Sequence, residues 1–317
     1  MKIIHTCLCS VLFIATAYAK QTYLLLPAPQ QITYHDGVCQ LPSGFHVWVD
    51  PSGGKQLLSV AEDVRDALKE FYGALKLSAS NGSNTSVEIR IQPDRVERAQ
   101  GYELSVLPDR IRIVAHDCAG AFYAAQTLKQ ICRVAGGKLK CLTVKDWPDY
   151  PNRGVMLDIS RDKVPTMETL YQLVDKLAEM KINQFQLYTE HTFAYSNHKT
   201  VWKDASPMTA EQILKLDRYC AERYVELVPN QNSFGHLKRW LHHEPYKQLA
   251  EAPDGCNTDW GWQVGLSLCA TDPGSIKLLS GLYDELLPNF STSCLYCIPC
   301  SDALYIYAGT DALNMVK

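Results

Sequence analysis

The sequence predicts two α/β units in tandem: an α+β domain over residues 20–148, then the first half of a TIM (β/α)8 barrel over residues 149–317. Three observations carry this expectation. Strands and helices are mixed without a fixed order up to about Lys145, and alternate strictly after "DWPDYPNRG". No G-x-G-x-x-G follows any strand, which disfavours an open dinucleotide-binding sheet. Polar residues gather just past the C-terminal end of each expected strand, where barrel enzymes place their chemistry.

Taken in order, "MKIIHTCLCSVLFIATAYAK" has Lys2 as a positive start, an apolar stretch and the small-residue ending Ala17-Tyr18-Ala19. That is the pattern of a removable export signal over residues 1–19, too short in its apolar part to span a bilayer. "QTYLLLPAPQQITYHDG" reads as extended chain with a turn. "KQLLSVAEDVRDALKEFYGAL" places Leu57, Val60, Val64, Leu68 and Phe71 at helical spacing. "SVEIRIQ" alternates as a strand, "GYELSVLPDRIRIVAH" as a hairpin turning at Pro108-Asp109, and "AGAFYAAQTLKQIC" as a second helix.

The second unit opens with "RGVMLDIS", an almost continuously apolar strand. A helix follows in "TMETLYQLVDKLAEM", with Thr166 as N-cap and Met167, Leu170, Val174 and Leu177 on one face. "INQFQLYT" is the next strand. Thr209 and Gln212 stand at capping-box spacing ahead of "ILKLDRYCAER", and "YVELVPN" is the third strand. "DPGSIKLLSGLYDELL" is a helix with Ile276, Leu279, Leu282 and Leu286 in phase, and "SCLYCIPC" is expected as strand four.

With 317 residues, 46% hydrophobic content and a net charge of -3, the chain can bury a sizeable core and has no basic footprint for nucleic acid. A small molecule or a neutral polymer fits that balance, and no membrane span is expected after signal removal. Of the twelve cysteines, Cys7 and Cys9 go with the signal; the others are scattered and assign no disulfide. Cys294, Cys297 and Cys300 have the spacing of metal ligands. Three ligands are one short of a tetrahedral set, and a strand sends residues three apart to opposite faces, so neither metal nor cofactor is expected.

Past strand one stand Ser160, Arg161 and Asp162; past strand two, Glu190 and His191; past strand three, Asn230, Gln231, Asn232 and His236; past strand four, Ser301 and Asp302. Tyr188, Phe193, Tyr195, Trp202, Trp240, Trp260 and Trp262 are interleaved with them. Carboxylate, imidazole, guanidinium and amide groups among aromatics suit a sugar, whose apolar face stacks on rings while its hydroxyls take hydrogen bonds. The plainer alternative is that loops are polar in any protein.

"RGVMLDISRDKVPTMETLYQLVDKLAEMKINQFQLYTEHTFAY" followed by "LVPNQNSFGHLKRWL" resembles the family-20 glycoside hydrolases, the β-N-acetylhexosaminidases. "GYELSV" and "IRIVAHDCAGAFYAAQTLKQI" likewise resemble the α+β domain ahead of their barrel. The resemblance implies an exported enzyme, in a periplasmic, secreted or lysosome-like compartment, that removes terminal β-linked N-acetylhexosamine from a glycan. It implies substrate-assisted retaining hydrolysis, in which the substrate's own acetamido oxygen attacks the anomeric carbon. An Asp-Glu pair after strand four orients that group and protonates the leaving oxygen.

By the same resemblance Arg161 binds sugar hydroxyls, Glu190 is the acidic residue after strand two, and His236 partners it. His191 and Asn230 complete the substrate-contact candidates. Arg161 has an alternative as a rim ion pair with Asp158 or Asp162, and Glu190 with His236 as a structural pair. The family strand reads roughly F-N-I-G-C-D-E-T, whereas this chain has "YCIPCSDA", placing Ser301-Asp302 where Asp-Glu belongs. Asp302 then takes the acid's position with a shorter side chain, or, one residue out of register, the orienting position. Either way one role is vacant, and a sugar-binding or vestigial protein is the alternative to an active enzyme. The sequence stops after four of eight expected strands, which as a sequence expectation reads as a truncated product with a divergent or out-of-frame tail.

Overall fold

A computed structural model of the chain describes residues 23–41, 46–73, 76–78, 82, 85–161, 163–259, 261–291, 295–297 and 306–308. The first layer is a seven-stranded sheet of β1 (Gln31–Val38), β2 (His46–Val49), β3 (Lys76–Ser78), β4 (Thr85–Ile91), β5 (Tyr102–Val106), β6 (Ile111–Ala115) and β7 (Lys140–Asp146), in the order β1-β7-β5-β6-β4-β2-β3. Helices α1 (Gly54–Tyr72) and α2 (Cys118–Val134) pack on each other and on the sheet. The helical spacing predicted for α1 is the spacing it buries: Leu57, Val60, Val64 and Leu68 are fully enclosed. The hairpin closes as expected, with Leu107 N donating to Arg110 O at 2.8 Å around Pro108-Asp109. Strands β2, β3 and β7 were not singled out by alternation, being short or of mixed pattern.

The second sheet contains β8 (Gly154–Asp158), β9 (Gln184–Thr189) and β10 (Glu226–Gln231), all parallel. Helix α3 (Met167–Glu179) crosses from β8 to β9. The passage from β9 to β10 holds the short α4 (Lys199–Trp202) and then α5 (Ala210–Ala221). Both expected caps form. Thr166 accepts from Thr169 N at 3.2 Å, and Thr209 and Gln212 exchange both bonds of a capping box.

After β10 come α6 (Lys238–Leu241), α7 (Glu244–Lys247), a hairpin of β11 (Cys256–Thr258) and β12 (Gly261–Gln263), and α8 (Pro273–Leu286). In α8, Leu279, Leu282 and Leu286 are buried, but Ile276 of the predicted stripe is 38% exposed. Strand β13 (Leu295–Cys297) joins parallel to β10, as expected of strand four, and β14 (Ile306–Ala308) pairs antiparallel with β13. That last pairing departs from the all-parallel rule of a barrel. The predicted class otherwise stands: an α+β layer, then parallel βα units of a partial barrel.

Ionic contacts join the two sheets. Lys181, held at φ 59° just after α3, donates from Nζ to Asp146 Oδ2 at 2.6 Å and to Tyr102 Oη at 2.9 Å. Arg153 reaches Tyr123 Oη at 3.1 Å and Gln100 Oε1 at 2.9 Å.

Candidate active site

Period-two alternation decides what the strand ends present. Parallel register sets Asp158, Tyr188 and Asn230 side by side, so these residues and Glu190 and Asn232 two further on share one face. At the end of β8 the Asp158 carboxylate accepts from Ser160 N at 2.8 Å and Arg161 N at 3.1 Å. This local turn swings the Arg161 guanidinium back over the sheet.

Arg161 pairs with Asp158 and lies 3.3 Å from Glu190 Oε1. The guanidinium also stacks 5.2 Å above the Tyr188 ring and meets His236 Nδ1 at 3.4 Å. Tyr188 donates to Glu190 Oε1 at 2.9 Å and accepts from Asn232 Nδ2. His236, at φ 54°, puts Nδ1 4.0 Å from the same Glu190 oxygen. A non-glycine residue in left-handed backbone is uncommon, and here it aims a ring at the cluster.

Exposure separates the partners. Glu190 keeps 10% of its side chain exposed, whereas Arg161 keeps 53% and His236 47%. The carboxylate is a buried anchor, and the guanidinium and the imidazole face solvent. Although partial burial works against its charge, Arg161 is raised above its ordinary value by Asp158, Tyr188 and Glu190. Burial, and then Glu190 beside it, pushes the Tyr188 hydroxyl up, so it stays a neutral donor.

The rim is supported from below. Glu190 N donates to Ser160 Oγ at 2.7 Å, and Trp240 Nε1 donates to Glu190 O at 2.7 Å. Phe193, Tyr195 and Trp240 were expected as sugar-stacking aromatics, and this is corrected. All three are enclosed in the core, with ring centroids 4.7 Å apart for Phe193–Tyr195 and 5.8 Å for Tyr195–Trp240. Their rings meet edge to face, at interplanar angles of 69° and 61°, an arrangement that aromatic pairs favour in a core. Trp202 donates its indole N–H to Tyr195 O, while Trp262 on β12 is 65% exposed. Trp260 lies outside the described residues.

The structure thus brings Arg161, Glu190 and His236 together and adds Asp158, Tyr188 and Asn232. Asn230 is buried one layer down, donating to Gln186 Oε1 at 3.2 Å. His191 lines a neighbouring cleft that includes none of Arg161, Glu190 and His236. Asp302, Ser301, Cys294, Cys300 and Asp162 lie outside the described residues. Alternation along β9 and β10 was the signal that would have found Tyr188 and Asn232 as one row. Among the described residues no group of three or more His, Cys, Asp or Glu side chains is placed to hold a metal, Cys39, Cys118, Cys132, Cys141, Cys220, Cys256 and Cys269 are unpaired, and no helix is long and apolar enough to cross a membrane.

Comparison with known proteins matches residues 22–147 to the family model described as glycosyl hydrolase family 20, domain 2, and residues 150–311 to that of the family-20 catalytic domain. The second match includes the segment that carries Ser301 and Asp302. A beta-hexosaminidase of Vibrio vulnificus is 27% identical over 164 residues, covering 52% of this chain and 18% of its own length. Beta-hexosaminidase subunit A1 of Dictyostelium discoideum is 22% identical over 296 residues, 87% of this chain and 54% of its own. The chain therefore spans between about a fifth and about half of these relatives.

Among solved structures, Flavobacterium johnsoniae chitobiase superposes with a TM-score of 0.70 at 23% identity, over 86% of this chain and 44% of that one. The Vibrio harveyi exo β-N-acetylglucosaminidase in complex with N-acetylglucosamine gives 0.70 at 18% identity, over 93% and 50%. At these identities the likeness is one of fold.

Proposed function

The chain belongs to glycosyl hydrolase family 20, and from that premise we propose that it is an exported β-N-acetylhexosaminidase-type glycoside hydrolase acting on terminal β-linked N-acetylhexosamine of a glycan. The observation that carries this reading is the Arg161 guanidinium, half-exposed at the strand ends and fixed by Asp158 and Glu190. A planar fork held in one orientation suits two neighbouring sugar hydroxyls, which a flexible ammonium would not orient. His236 beside Glu190 adds a second polar contact. The N-acetylglucosamine bound by the Vibrio harveyi neighbour supports that sugar class.

In this reading the acetamido oxygen of the substrate displaces the leaving group at the anomeric carbon, giving an oxazolinium that water opens with net retention. Asp302 protonates the departing oxygen. Ser301, without charge, leaves the oxazolinium less stabilised than an aspartate would. That substitution favours a specific second reading, sugar binding without turnover.

Release of nitrophenol from 4-nitrophenyl N-acetyl-β-D-glucosaminide, measured beside calorimetric binding of N-acetylglucosamine, separates the two. Turnover that falls about 10²–10⁴-fold in Asp302→Asn supports the hydrolase. Affinity that depends on Arg161 with no turnover selects the binding protein. A chain that neither binds nor cleaves the sugar overturns both.

A further inference from the structure

Beside the rim cluster lies a cleft of about 550 Å³, within the range of small-molecule sites. Its walls include Lys163 from the β8–α3 loop, His191 just past β9, Asp204 after α4, and Arg239, His242 and His243 in and after α6. Among the described residues, no ion pair or side-chain hydrogen bond engages Lys163 or Arg239. Asp204 is the single carboxylate among the lining residues.

The second observation is His191 itself. It is 7% exposed, it lines the cleft, and its Nδ1 is buried without a hydrogen-bond partner among the described residues. Burial of an unpaired polar atom costs stability unless something meets it. Burial first, then Arg239 and His242, depress its pKa to about 4, so at neutral pH the ring is uncharged and keeps one N–H to donate. Among the described lining residues, two cations, Lys163 and Arg239, stand with one carboxylate, Asp204.

We propose that this cleft is an oxyanion site, taking a sulfate or phosphate group with Lys163 and Arg239 as charge partners and His191 as a neutral donor. Asp204, the carboxylate in the lining, accepts a hydroxyl of the rest of the ligand. The volume suits an oxyanion carried on a sugar-sized body, with the free inorganic ion as the smaller source. An occupant touches the residues that hold the rim. Ser160 lines the cleft, accepts from Glu190 N at 2.7 Å, and shares a 2.9 Å hydrogen bond with Thr192 Oγ1. The proposal stands independently of what the rim cluster binds.

The test is calorimetric titration of the full chain with inorganic sulfate and with glucose 6-phosphate. Saturable binding is expected, with a dissociation constant that rises about tenfold or more in Arg239→Met and in Lys163→Met and does not change in Lys238→Met, an exposed neighbour outside the cleft. Tighter binding of glucose 6-phosphate than of sulfate assigns a sugar-borne anion, and the reverse order assigns the free ion. No saturable heat with either probe, or a loss that follows Lys238 rather than Arg239 and Lys163, overturns the proposal.

Discussion

Two clusters in this molecule are built from the same three ingredients, a cation, a carboxylate and a tyrosine, and they do opposite work. Between the sheets, Lys181 pairs with Asp146 while its ammonium lies 5.1 Å from the Tyr102 ring centre. At the rim, Arg161 pairs with Glu190 while its guanidinium lies 5.2 Å from the Tyr188 ring centre. The first is dry, with Lys181 8% and Asp146 11% exposed, and Tyr102 bridges onward to Thr127 Oγ1 at 2.6 Å. The second is open on its cationic side, and Asn232 Oδ1 is buried without a partner among the described residues. Composition does not distinguish a strut from a site. Spare valence at an accessible edge does, because only donors and acceptors still free to bond can recognise a ligand.

The largest expected effect breaks the strut. Lys181→Met leaves Asp146 buried and uncompensated, and should cost about 3–5 kcal/mol in urea unfolding. Pairing it with Asp146→Leu should restore most of that loss, since removing both charges removes the desolvation penalty as well. If the single variant melts like the parent, the contrast between the clusters is wrong.

Arg161→Met should do the reverse. It should lower affinity for N-acetylglucosamine by about 100-fold, and Arg161→Lys should not restore it because the fork is lost. Unfolding should shift by less than about 1 kcal/mol, as expected of a half-exposed charge. A large loss of stability with unchanged sugar affinity would make the rim a second strut.

Trp240→Phe removes the indole N–H that holds Glu190 O while keeping most of the packing. It should cost about 1–2 kcal/mol and loosen sugar binding by severalfold, read from melting and calorimetry on the same samples. The smallest effect is in pH. His191 is depressed in the folded chain from 6.5 to about 4. Folding therefore favours its neutral form, whose contribution is complete above about pH 6.5 and fades as pH falls toward 4. The loss should be on the order of 1 kcal/mol after allowance for solvent screening, and His191→Gln should flatten that part of the urea midpoint curve.

Much of this was legible in the sequence. The stripe of Leu57, Val60, Val64 and Leu68, the Thr166 cap and the Thr209–Gln212 box are local matters, set by spacing within one or two helical turns. Arg161, Glu190 and His236 stand among the polar residues that follow the strands, and the resemblance to the family-20 hydrolases singled them out. The aromatics could not be sorted. Phe193 and Tyr195 look the same in sequence whether they face a sugar or the core, and long-range packing with Trp240 made them core. Ile276 was assigned to the buried stripe of α8 because periodicity cannot tell how wide the covered face is.

The sequence by itself determined the order of elements, their caps and the residue types at the strand ends, since those follow from backbone periodicity and local hydrogen bonding. Only the tertiary structure decided which of those polar groups meet. Parallel register put Tyr188 beside Asp158, the turn after β8 folded Arg161 onto Glu190, and left-handed backbone at His236 turned its ring inward. It also sent His191 into a cleft that its neighbour Glu190 does not line, because successive residues at a strand end point to opposite sides.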